Sequence, residues 1–116
     1  MIKELTSLQQ FDEILQTSQQ RPILLFKHST ACSASSRSWR NFQRFAESEA
    51  RPEYWRVRVL ENRALSLHVA RQTHVQHESP QVLLLHHGKV VWHDSHEGIT
   101  AAALRQAVTP LFAPEV

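Results

Sequence analysis

The chain has 116 residues, 41% hydrophobic and 21% charged, with a formal net charge of +2. This length supports one core, so a single domain over residues 1–116 is expected, and the balance of apolar and charged residues excludes a disordered chain. The longest apolar runs, such as Val82 to Leu85, fall far short of the ~20 residues that span a bilayer, so no membrane partner is expected.

The N-terminal stretch MIKELTSLQQFDEIL lacks the apolar core and small-residue cleavage site of a secretory signal. The lone cysteine, Cys32, cannot form an internal disulfide. The two observations together predict a cytoplasmic address. In residues 7–17, Leu8, Phe11, Ile14 and Leu15 share one helical face behind Ser7, a good N-cap, so an amphipathic helix is predicted. The run Ile23 to Phe26 is short and continuously apolar, as in a strand covered on both faces.

From Cys32 onward, Ser35, Trp39, Phe42, Phe45 and Ala46 recur on one helical face, and the helix should stop before Pro52. Residues 54–60, YWRVRVL, alternate as a strand with Trp55, Val57 and Val59 on one face and Arg56 and Arg58 on the other. Residues 62–73 read as a helix packed through Leu65 and Val69. QVLLLHHGKVVWHD then places two β-rich runs around His87-Gly88, an antiparallel hairpin, and Thr100 caps a terminal helix. The order α-β-α-β-α-β-β-α predicts parallel crossovers closed by an antiparallel edge.

Arg37, Arg40 and Arg44 recur at helical spacing and read as a solvated face, and nucleic acid is not an expected partner. The eight histidines are scattered, with His86-His87 and His93…His96 among the close pairs. Without a second cysteine or a helical His-x-x-x-His pair, no metal site is expected.

Chemistry concentrates around Cys32. It follows a buried strand by a few residues and opens a helix, whose free N–H groups and partial positive charge favour a thiolate. Lys27 and His28 at the strand end would add positive potential, and Ser29, Thr30, Ser33, Ser35 and Ser36 would leave the sulfur unshielded. A lone cysteine is also commonly a small buried hydrophobe, so both readings stand on these flanks alone. Ser79-Pro80 directly precedes the inner strand of the hairpin. A cis bond there would turn the Ser79 N–H and C=O toward a thiol ligand, whereas a trans proline would simply start the strand.

The helix-opening Cys32, the proline-led hairpin and the element order resemble the thioredoxin fold: an α/β domain with a central mixed sheet of about four strands flanked by helices, and an extra N-terminal helix. FKHSTACSASS and HESPQVLLLHHGKVVWHDSHEGIT, together with the chain length, resemble more closely the monothiol bacilliredoxins, the thioredoxin-like proteins of the bacillithiol system. The resemblance implies a thiol–disulfide exchange enzyme, active under oxidative stress, that removes bacillithiol from S-bacillithiolated proteins. Cys32 would be the nucleophile and Ser79-Pro80 the cis-proline loop. No bound cofactor is implied. Bacillithiol would be the co-substrate, and free bacillithiol or a dithiol protein the reductant. The family motif reads Thr-Cys-Pro-Ile-Ser, and here Ala31, Cys32, Ser33, Ala34 and Ser35 stand in its place; losing that proline frees a backbone N–H and changes the redox poise.

Bacillithiol carries a malate with two carboxylates, so its site needs cations and free N–H groups. Lys27, His28, Arg37, His77, His96, the backbone of Ser79 and the helix start at Thr100 are the candidates. Two other readings stand beside this one: a non-enzymatic thioredoxin-like adaptor that docks a partner through the sheet edge or the Arg37, Arg40 and Arg44 stripe, and a monothiol glutaredoxin-like carrier of a [2Fe–2S] cluster, whose Cys-Gly-Phe-Ser pattern is absent.

Overall fold

A computed structural model describes residues 1–30 and 33–112. Its core is a mixed sheet whose inner strand, β2 (Ile23–His28), is buried at every residue. β2 runs parallel to β3 (Glu53–Arg58) on one side and antiparallel to β4 (Gln81–His86) on the other. β5 (Lys89–Ser95) pairs with β4 as the expected hairpin. The turn between them puts His87 at φ 56° and Gly88 at φ 78°, the two left-handed residues a two-residue turn of matching twist requires. Ser18 closes this end, accepting the His87 and Gly88 N–H groups at its carbonyl and Oγ.

The sheet has five strands, in the order β1-β3-β2-β4-β5, one more than the element order suggested. The addition is β1 (Ile2–Glu4), which lies parallel to β3 with Ile2 opposite Tyr54 and Glu4 opposite Arg56. Three residues are too few to show a periodicity, so only the available edge of β3 reveals this strand.

Alternation along the strands sends side chains to two apolar layers. Ile23 and Leu25 join Phe11, Ile14, Trp55, Val57, Leu65, Val69, Leu83 and Leu85 beneath α1 (Leu8–Thr17) and α3 (Arg63–Thr73). Leu24 and Phe26 join Phe42, Phe45, Tyr54, Val82, Leu84, Ile99, Leu104 and Val108 beneath α2 (Ser33–Ser48) and α4 (Ala101–Val108). Burying a large apolar side chain this completely contributes about 1.5–3 kcal/mol each. The expected caps are in place: Ser7 Oγ accepts from Gln10 N and Thr100 Oγ1 from Ala103 N, each at 3.1 Å. Asn62, an unanticipated third, caps α3 through Leu65 N. Among the described residues no helix is long and apolar enough to cross a membrane.

Candidate active site

Cys32 itself lies outside the described residues, so the site is built from what surrounds it in sequence and space. α2 begins at Ser33, the residue after the cysteine. The segment before it is tied to that helix: Ser29 N donates to the Oγ of Ser35, which is fully buried, at 3.1 Å. Three loops converge on the first turns of α2. Ser38 Oγ donates to the His96 carbonyl at 3.1 Å, and His96 N donates to the Pro80 carbonyl at 3.0 Å. Asn41 Nδ2 donates to the Ile99 carbonyl, which locks the segment leading to α4 against the same helix. The Ser79-Pro80 bond is cis, as the resemblance implied.

His96 takes φ 54° at the start of a 3-10 turn, His96–Gly98, and its Nε2 lies 3.1 Å from Glu78 Oε2. That pair spans the Pro80 loop and the turn after β5, with both side chains more than two-fifths exposed. Glu78 was not among the residues singled out from the sequence. Placed here, it sets a negative charge beside a site expected to bind carboxylates. Ser79 Oγ is buried without a hydrogen-bond partner among the described residues.

The two residues ending β2 part to opposite faces. Lys27, fully buried, points toward α3, where its Nζ donates to the Ser66 carbonyl at 3.3 Å and to His77 Nδ1 at 3.2 Å. Burial lowers its pKa to about 8, because an ammonium removed from water loses hydration that two neutral acceptors only partly replace. Burial, the Lys27 charge and Arg63 also hold His77 below the usual histidine range.

His28 faces α2 and is 6% exposed. It stacks on Trp39 at 5.0 Å, and Trp39 carries the Arg56 guanidinium on its ring at 4.6 Å. Arg56 Nη1 approaches His28 Nδ1 at 3.4 Å while Nη2 pairs with Glu4. Burial first, then the Arg56 and Arg58 charges, push the His28 imidazole toward its neutral form. Both imidazoles are thus biased toward the neutral form, with Arg56 beside His28 and Lys27 beside His77 as the neighbouring cations. Beside Trp39 a cavity of about 320 Å³ is lined by Glu4, Trp39, Gln43, Glu47 and Arg56, none of them a residue anticipated for the site.

Arg37 projects exposed from α2 and makes no ion pair among the described residues, like Arg40 and Arg44. The structure therefore gathers Ser38, Pro80 and His96 at one point and Lys27 with His77 at another, and leaves Arg37 exposed on α2 next to Ser38 in sequence. Ser38 went unremarked in the sequence because nothing local marks a serine whose partner, His96, lies across the fold. Gln81 did carry a signal, as a polar residue at the entry to an otherwise apolar strand, and its partners Gln76 and Glu78 lie close in sequence.

Comparison with known proteins bears on the family and the fold. A family model described as monothiol bacilliredoxin BrxC matches residues 3–104. A solved structure described as a candidate oxidoreductase with a thioredoxin fold superposes with a TM-score of 0.83 at 29% identity, covering 91% of this chain and 92% of the other. Thioredoxin from Fasciola hepatica matches at 18% identity and a TM-score of 0.74, over 93% of this chain and 97% of its own. Spinach chloroplast thioredoxin f, in its short form, matches at 15% and 0.75, over 97% and 94%. These two distant likenesses establish the fold alone.

Proposed function

The chain belongs to the monothiol bacilliredoxin family, and from that premise we propose that it removes bacillithiol from S-bacillithiolated proteins through a mixed disulfide at Cys32. Its family and its likeness to a thioredoxin-fold structure place its chemistry in thiol–disulfide redox exchange. In the first step the Cys32 thiolate attacks the bacillithiol sulfur of the protein–bacillithiol disulfide. A Cys32–bacillithiol bond forms as the old S–S bond breaks, and the electron pair leaves on the protein thiolate, which takes a proton from water. The chain has no second cysteine, so an external thiolate completes the cycle. Free bacillithiol attacks the adduct, regenerates Cys32 and leaves as bacillithiol disulfide; a dithiol protein is the alternative reductant.

The observation that carries this reading is the tie through His96. Its carbonyl holds Ser38 of α2 and its N–H holds the Pro80 carbonyl, so the helix beginning at the residue after Cys32, the Pro80 loop and the turn after β5 form one surface. On that surface the start of α2 offers N–H groups and a partial positive charge to an anionic sulfur. Arg37 and His96, the latter once parted from Glu78, are the side chains available to the malate carboxylates, with the Ser79 backbone beside the ligand sulfur. Such exchange suits a reducing compartment, the cytoplasm.

Incubating a bacillithiolated protein with wild type, Cys32→Ala and Cys32→Ser tests the reading by intact mass. Wild type should gain one bacillithiol and the substrate lose one, with neither change in the variants. A wild type that never gains the adduct overturns the mechanism. A partner that binds equally well after Cys32 is alkylated would instead mark the protein as an adaptor.

A further inference from the structure

The mechanism above leaves unused a fully buried lysine that has no carboxylate partner among the described residues. Lys27 Nζ meets only the Ser66 carbonyl of α3 and His77 Nδ1 among the described residues. On the sheet its neighbours are Val57 of β3 and Gln81 of β4, neither charged. The charges acting on His77 are Lys27 itself, Arg63 of α3 and Glu78. Gln81, opposite Lys27, grips the same segment: its Oε1 accepts from Glu78 N and its Nε2 donates to the Gln76 carbonyl. Two adjacent side chains at the end of the sheet therefore hold residues 76–78, the approach to Pro80.

We propose that Lys27 is a positioning residue of the exchange site: through His77 Nδ1 its buried ammonium clamps the loop that carries Pro80 to the end of β2, five residues before Cys32 in sequence. An ammonium only donates, so the clamp requires His77 to be neutral with Nδ1 unprotonated. When His77 takes a proton its acceptor is lost and two cations face each other in a buried setting. The clamp thus holds at neutral pH and opens on acidification. This rests on the exchange chemistry proposed for Cys32, because only there does the loop meet substrate.

Amide hydrogen exchange of residues 76–79 reads the clamp without any turnover. Near neutral pH, Lys27→Met and His77→Leu should raise exchange in that segment about tenfold over wild type, as expected for one lost charged hydrogen bond. His77→Asn should protect the loop as wild type does, because its amide oxygen can accept from Lys27. On lowering the pH, wild type should lose its advantage over Lys27→Met, whereas His77→Asn, which cannot be protonated, should keep it. In the exchange assay the same variants should raise KM for the mixed disulfide severalfold and leave kcat nearly unchanged. Unaltered protection in both Lys27→Met and His77→Leu overturns the clamp, whatever the activity. Altered protection in a protein that never accepts bacillithiol leaves the clamp standing and overturns the substrate reading instead. Equal loosening in His77→Asn and His77→Leu also overturns it, since the segment would then answer to packing and not to the hydrogen bond.

Discussion

Replacing Lys27 by methionine should make the protein's stability less dependent on pH. In the folded state Lys27 titrates at about 8 instead of its ordinary 10.5, which amounts to about 3 kcal/mol of preference for the neutral amine. Below about pH 8 the lysine is charged in both states and the folded state bears the full penalty. Between about pH 8 and about pH 10.5 the unfolded chain holds more protons than the folded one, so stability rises with pH. Wild type should therefore gain about 2.5 kcal/mol from this group between about pH 7 and about pH 10, a gain methionine cannot show. Near pH 7 the methionine variant should unfold at equal or higher urea concentration, since a buried charge gives way to an apolar side chain of similar length. Other groups titrate in this range, notably Tyr54, whose hydroxyl burial and Glu49 hold above its ordinary value. They act on both proteins and cancel in the difference. Urea unfolding of both proteins at several pH values supplies that difference, and a value constant to within about 0.5 kcal/mol would refute the assignment of a strained buried ammonium.

Glu78→Gln removes the negative charge facing His96; KM for the doubly anionic thiol should fall a few-fold, with the gain shrinking at high salt, as initial rates over an ionic-strength series would show. Phe42→Ala empties a fully buried site between Phe26, Trp39 and Tyr54 and should cost about 3–5 kcal/mol in urea unfolding. Thr100→Ala deletes the cap of α4 and should cost about 1 kcal/mol by thermal or urea unfolding, without altering adduct formation at Cys32. Gly88→Ala forces a side chain into φ 78° with its Cβ 2.7 Å from the movable Gln19 Nε2; a loss of about 1 kcal/mol is expected, confined to stability.

Much of this architecture was legible because it is local. Ser7 and Thr100 announce helices through a side chain that reaches only three residues ahead. His87-Gly88 announces a hairpin because few residues accept positive φ. β2 was readable from four consecutive apolar residues, and a strand covered on both faces permits little else. The strand β1 was not readable, since its three residues become a strand only by borrowing the edge of β3.

The candidate site divides along the same line. Cys32 before a helix and Ser79-Pro80 before a strand are sequence-local facts, and they sufficed to raise thiol exchange. Lys27 and His28 looked alike at the end of β2, two basic residues beside a cysteine. Alternation then sent one to α3 and the other to Trp39, and each met a different dielectric and a different neighbour. Likewise Glu78 and His96 stand 18 residues apart, and nothing between them foretells their contact.

By itself, then, the sequence determined the order of elements, their caps and turns, and the cysteine and proline on which the proposed chemistry rests, because each follows from backbone sterics or from hydrogen bonds within a few residues. Only the tertiary structure decided which polar groups carry charge and which grip the Pro80 loop. Protonation and positioning depend on desolvation and on partners brought from distant elements, and those exist only once the sheet has closed over them.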